Sequence, residues 1–185
     1  MDLKLDKTAF NRWLDRQEGK YEWKDGRVVQ MSNASKAHAR IVANLVRAIG
    51  GKLDLDRWSV TASDLGVEDE DFLRFPDIIV EPMDDDDKGR RSRQPALLIE
   101  VLSPSSVGAD FRDKPEEYMR FASLQAYGVV SQDAALCWIW QRDSATGQFP
   151  VKPTEFIGRE PSISFSALGI DLPLAEIYRG IKTAD

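Results

Sequence analysis

Residues 95–103, PALLIEVLS, are apolar at consecutive positions rather than at alternate ones. A strand that is apolar on both faces is covered on both, so this segment belongs inside a sheet with further layers on either side. One acid, Glu100, stands within it. A lone carboxylate among aliphatic neighbours gives up hydration worth on the order of several kcal/mol unless a cation or hydrogen-bond donors meet it. Two readings follow. Glu100 is either a core glutamate satisfied by an arginine or by backbone, or a metal ligand or acid/base group facing a cleft.

The segment FLRFPDIIVEP favours the second reading because it repeats the anomaly. Pro76 cannot donate to a sheet ladder, and it holds Phe75 in extended backbone, so it marks a strand start, an edge or a bulge. Asp77 follows it and leads directly into Ile78, Ile79 and Val80. Taken alone, an Asp at a strand start is a turn residue. Two acids on neighbouring strands ~4.8 Å apart, however, are able to converge on one hard divalent cation.

Downstream, SPSSVGADFRDKPEEYMRF leaves the Glu100 strand through a Ser-Pro turn and is expected to enter a helix from Asp113 through Ala126, with Pro115 in its first turn. Lys114 lies in that first turn, where a cation opposes the helix dipole instead of complementing it. It is a solvated surface lysine, or it leans toward the strand ends from beside Tyr118, four residues on.

The rest of the chain sets the architecture. TAFNRWLDRQ reads as a short helix with Phe10, Trp13 and Leu14 on one face. YEWKDGRVVQM reads as a hairpin turning at Asp25-Gly26. Ser32, Asn33 and Ser35 offer caps to a helix ending at Gly50-Gly51, with Ile41, Val42, Leu45, Val46 and Ile49 as its stripe and His38 extending that stripe toward its start. RWSVTASDLGVE and FLRFPDIIVEP are each read as one strand, separated from PALLIEVLS by a polar segment over residues 83–94. ALCWIWQRD is a strand, QFPVKPTEFIG is extended, and ISFSALGIDLPLAEIY is a short strand with a closing helix. The expected fold is α/β: a mixed central sheet flanked by helices, with an added N-terminal hairpin and C-terminal strands, in a single domain over residues 1–185.

Composition narrows the function. The 185 residues are 42% hydrophobic and 30% charged, with no membrane-length apolar run and no signal-peptide pattern at the start. Cys137, the single cysteine, sits in ALCWIW as a small buried hydrophobe, and a cytoplasmic location is expected. A net charge of −6 counts mildly against a protein that lives on nucleic acid, unless a metal supplies positive charge at the cleft. Residues 84–87 are four aspartates, followed by Lys88, Arg90, Arg91 and Arg93; this is a solvated loop or an arm that contacts phosphate.

FPDIIVEP, PALLIEVLSPSS and the spacing Asp110-x3-Lys114-x3-Tyr118, together with YEWKDGRVVQMS and GIDLPLAEIY, resemble the Uma-two family of bacterial proteins across about Tyr21 to Tyr178. The resemblance implies a restriction-endonuclease-like core and an endonuclease of the PD-(D/E)xK superfamily. In that superfamily a lysine often lies two residues after the strand glutamate. Here that position is Leu102, and the resemblance points to Lys114 instead. It also implies that Asp77 and Glu100 hold Mg²⁺ or Mn²⁺ with the Val101 backbone carbonyl, that Lys114 stabilises charge on the phosphate, and that DNA is the substrate. Glu22 is directed toward the site in such proteins, or is an exposed hairpin charge. His38 is a site residue or a structural histidine, and Asp110, though part of the motif, reads as a helix cap. The rival readings are a non-cleaving nucleic-acid-binding or regulatory module of the same fold, and a structural homo-oligomer whose buried acids pair with arginines. A homodimer stays open.

Overall fold

A computed structural model describes residues 3–31, 33–102 and 108–183. The cap candidate Ser32 and the Ser-Pro turn over residues 103–106 lie outside the described residues. Helix α1 (Lys7–Leu14) is capped by the Asp6 carboxylate, which accepts from the Ala9 amide. It packs through Phe10, Trp13 and Leu14 on the hairpin β1 (Tyr21–Lys24) and β2 (Arg27–Gln30). The turn pairs Lys24 with Arg27, and Asp25 and Gly26 both take positive φ, 47° and 82°. A two-residue hairpin turn of this type demands that backbone. Helix α2 (Lys36–Gly50) starts at the Ser35 hydroxyl, which accepts from the His38 amide, and buries Ile41, Leu45 and Ile49.

The next two segments depart from the expectation of one strand each. The first divides at Ser63 (φ 62°) into β3 (Trp58–Ala62) and β4 (Gly66–Glu68). The second divides at Phe75–Asp77 into β5 (Phe72–Arg74) and β6 (Ile78–Pro82). Pro76, with no N–H, stands at the second break. Each divided ribbon serves two sheets. After β7 (Arg91–Ser92), a two-residue strand inside the segment read as wholly polar, comes β8 (Leu97–Val101). The helix expected from Asp113 through Ala126 is shorter and begins earlier: a π-helical turn (Ala109–Asp113) runs into α3 (Lys114–Tyr118), and Ala126 already opens β9 (Ala126–Val130), a strand the sequence reading missed. Then follow β10 (Leu136–Gln141) and β11 (Thr154–Ile157). A hairpin of β12 (Ser162–Phe165) and β13 (Ile170–Pro173) replaces the single closing strand before the one-turn α4 (Leu174–Ile177).

Among the described residues the sheets are ordered β11-β10-β9-β8-β6-β3 and β2-β1-β5-β4-β7, with the β12-β13 hairpin apart. In the larger sheet β8 runs parallel to β9, joined by the crossover that carries α3, while its other pairs are antiparallel. One face of this sheet, with Val80, Leu97, Ile99 and Val101, packs on α2, α4 and the β12-β13 hairpin. The opposite face, with Ile79, Leu98, Tyr127 and Val129, packs on Tyr118 and on Val67 and Phe72 of the smaller sheet. The protein is thus a mixed α/β fold with helices flanking mixed sheets. Cys137 is buried, as its apolar setting implied, and burial pushes its thiol up to about 12. Among the described residues, no helix is long and apolar enough to cross a membrane.

Candidate active site

The β6–β8 ladder pairs Ile78 with Ile99 and Ile79 with Leu98. Carried one residue further, that register sets Asp77 opposite Glu100. Alternation turns both toward the face that holds Ile79 and Leu98, where the α3 crossover lies. Asp77 sits at the break made by Pro76. Its Oδ2 accepts the Val101 amide at 2.8 Å, and His38 Nε2 stands 3.1 Å from its Oδ1 without hydrogen-bond alignment. The contribution of Val101 that is visible here is therefore its N–H, which fixes the Asp77 carboxylate.

Glu100 is 4% exposed and its Oε1 accepts from the Tyr118 hydroxyl at 2.8 Å. Lys114 Nζ lies 2.8 Å from the same oxygen, 2.9 Å from Asp110 Oδ1 and 3.7 Å from Glu22 Oε1. Asp110 makes no helix cap. It is wholly buried, one turn before Lys114, and the π-helical turn that carries it lets both side chains reach one point. Glu22 is no exposed hairpin charge either: its Oε2 accepts from Arg74 Nη1 at 2.9 Å and its Oε1 from the Phe75 amide at 3.4 Å. Arg74 also grips Glu117 with two bonds, Nε to Oε2 at 2.8 Å and Nη2 to Oε1 at 2.9 Å, while Lys24 Nζ lies 2.6 Å from Glu117 Oε1.

The fold thus brings Glu22, His38, Asp77, Glu100 and Lys114 together and adds Asp110, Tyr118, Arg74 and Glu117. Arg74 was open to the logic applied to Glu100, since it is a lone charge in the apolar run FLRFP. Glu117, in the polar run KPEEY, gives no such signal.

The charges do not balance. Glu22, Asp77, Glu100, Asp110 and Glu117 face Lys24, Arg74 and Lys114, an excess of two negative charges when all are ionised. Burial, with Asp110, Asp77 and Glu22 adding to it, pushes the Glu100 carboxyl well above the ordinary range despite Lys114. Burial raises Asp77 too, against the Val101 amide, His38 and Lys114. At Glu22 burial acts upward, but Lys114 and Arg74 outweigh it and hold the carboxyl below its usual value. Lys114 is raised: burial opposes its charge, and Glu100, Glu22 and Asp110 more than compensate.

Oxygen donors with surplus negative charge suit a hard divalent cation. Among the described residues, no three His, Cys, Asp or Glu side chains are already arranged around a metal position. The donor chemistry fits the ion through Asp77 and Glu100, with the Lys114 ammonium now lying among the carboxylates.

A stability prediction follows from the raised pair. A carboxyl raised in the folded state holds its proton more tightly than in the unfolded chain. Stability is then lost as pH rises from the unfolded pKa toward the folded one. Glu22, lowered on folding, acts with the opposite sign. Glu100→Gln removes the larger cost, so at neutral pH in chelator its melting temperature should exceed that of the wild type; a gain of ~1 kcal/mol corresponds to ~2–4 °C at this size. Scanning calorimetry at pH 5 and pH 8 checks this, and the difference should grow at the higher pH.

The family model Uma2, described as "Putative restriction endonuclease", matches residues 8–175. The chain belongs to the Uma2 family. Two relatives from Synechocystis sp. carry the description uncharacterized protein: slr1290, 27% identical over 96% of this chain and 93% of the relative, and sll1609, 28% identical over 85% and 92%. A solved structure described as a putative nuclease belonging to DUF820, from Anabaena variabilis, superposes with a TM-score of 0.77 over 98% of this chain and 99% of that one, at 15% identity. The likeness shows that the Uma2 chain shares that fold.

Proposed function

We propose that this Uma2 protein is an endonuclease that hydrolyses phosphodiester bonds in DNA with Mg²⁺ or Mn²⁺. The observation that carries the reading is the β6–β8 register, which continued one residue sets Asp77 opposite Glu100, with Lys114 Nζ 2.8 Å from Glu100 in the same buried cluster. When bound, the ion supplies Lewis acidity to a phosphate oxygen and acidifies a water. Asp77 and Glu100 hold it, and the Val101 amide keeps Asp77 oriented. Tyr118 fixes Glu100 through its hydroxyl, leaving Glu100 Oε2 free of that bond. Lys114 stays protonated and meets the negative charge that builds on the phosphate as water adds to phosphorus and one P–O ester bond breaks. Glu22 and Asp110 keep the ammonium placed, and Arg74 keeps Glu22 placed. His38 Nε2, 3.1 Å from Asp77 Oδ1, borders the site without bonding to that carboxylate.

Thermal shift with plasmid nicking tests this. Mn²⁺ or Mg²⁺ should stabilise the wild type, by ~2.7 kcal/mol at 100-fold excess over Kd, and should support nicking. Asp77→Ala should lose both. Binding of DNA with no response to metal and no nicking would replace this reading with that of a non-cleaving binding module.

A further inference from the structure

A cavity of about 510 Å³ shares a wall with the carboxylate cluster. Ser63 and Phe75 line it, and both are bonded to site residues: the Ser63 amide donates to the Asp77 carbonyl at 3.2 Å and the Phe75 amide to Glu22. Tyr21, another wall residue, precedes Glu22 on β1. The proposed chemistry assigns nothing to this cavity.

Its lining has two kinds of group. Tyr21 and Phe75 offer partly exposed rings, and the Arg91 guanidinium carbon lies 5.6 Å from the centre of the Phe75 ring. Gly66 makes that approach possible, since a Cβ there would stand 3.1 Å from Arg91 Cδ and 3.3 Å from Phe75 Cε1. Asn11 adds an amide, and its Oδ1 is 3.5 Å from Arg91 Nη2. At the rim are Lys20 and Arg90, paired with the exposed Asp64 and Asp15. Exposed pairs of this kind contribute little and exchange readily for another anion. An apolar ligand would strand the charges, and inorganic phosphate would leave the aromatic faces unused. A base with its phosphate uses both, because bases stack on aromatic rings and on arginine planes and their edges bond to amides.

We propose that this cavity receives one unstacked nucleobase of the substrate strand, stacked within the Tyr21–Phe75–Arg91 wall beside the phosphate to be cut, with Lys20 and Arg90 on its flanking phosphate. The role as substrate subsite rests on the nuclease reading above, whereas base capture itself needs neither metal nor cutting. It makes single-stranded or locally opened DNA the preferred substrate. It also gives the Arg90-Arg91 segment, ambiguous in the sequence, a contact with the strand.

The test uses full-length protein in EDTA and tetranucleotides carrying 2-aminopurine or an abasic site at each position in turn. The base-bearing strand should bind at least about tenfold tighter than its abasic counterpart at one position, with a change in aminopurine fluorescence. Arg91→Ala should erase that difference while keeping the wild-type circular dichroism spectrum; should it not fold, Tyr21→Leu serves instead. Ribose tetranucleotides run in parallel separate RNA from DNA as the source of the base. Equal binding of base-bearing and abasic strands, an unaffected Arg91→Ala, or no binding of any strand overturns the proposal. Nicking in Mn²⁺, measured separately, tells the two failures apart. A protein that cuts but ignores the base loses the subsite alone, and one that captures the base but never cuts loses the nuclease reading alone.

Discussion

Replacing Lys114 by alanine is expected to cut the rate of DNA cleavage by about 10²–10³, the usual loss when one preorganised electrostatic group is removed. Manganese affinity should hold or rise. Leu102 occupies the position where the PD-(D/E)xK pattern that the sequence resembles often has its lysine, and Lys114 Nζ lies 2.8 Å from Glu100 and 2.9 Å from Asp110. Its removal takes one positive charge from a cluster that already carries surplus negative charge, so a divalent cation meets less competition there. Plasmid nicking beside titration calorimetry separates the two effects. A variant that cuts as fast as the wild type would show that the ammonium has no part in the chemistry. A variant that loses manganese binding would show that Lys114 builds the site rather than acting in it.

Arg74→Met should destabilise the fold by about 3–5 kcal/mol, because removing one partner leaves the others charged and buried. Arg74 is 3% exposed and serves Glu22 and Glu117 at once; Glu117 keeps a second close cation in Lys24 at 2.6 Å, and Glu22 a more distant one in Lys114 at 3.7 Å. At this chain length the expected fall in melting temperature is on the order of 10 °C. The double variant Arg74→Met/Glu117→Gln should recover part of it, since it removes one of the stranded charges. A single variant that melts within about one degree of the wild type would mean that water already reaches these carboxylates.

The anomalies that could be read without a structure were single charges in apolar runs. Glu100 in ALLIEVL and Asp77 after Pro76 stand out because local composition alone shows what their ionisation costs. The outer elements were equally legible: the Asp25-Gly26 turn and the stripe of α2 follow from dihedral demands and a 3.6-residue period. What stayed hidden depended on partners far along the chain. AYGVV, with strand-prone Tyr127, Val129 and Val130, follows the helical segment too closely for its start to be read locally, yet it lies between β8 and β10, with Gly128 leaving room for Ile139 Cδ1, 3.0 Å from where a Cβ would be. The division of two ribbons between two sheets likewise rests on tertiary pairing, which local propensity does not encode. Asp110 looked like a cap because it stands just before the expected helix start at Asp113, whereas the π-helical turn begins at Ala109 and takes Asp110 inside the helix.

The Arg74 junction bears on how the protein is made. It ties Glu22, 52 residues earlier, to Glu117, 43 residues later. β8 reaches its parallel neighbour only after the α3 crossover has been synthesised. A nascent chain that ends before β9 already carries every acid of the cluster but lacks the strand that flanks β8. The buried acids thus meet their final surroundings only late in synthesis, when the larger sheet is completed around β8.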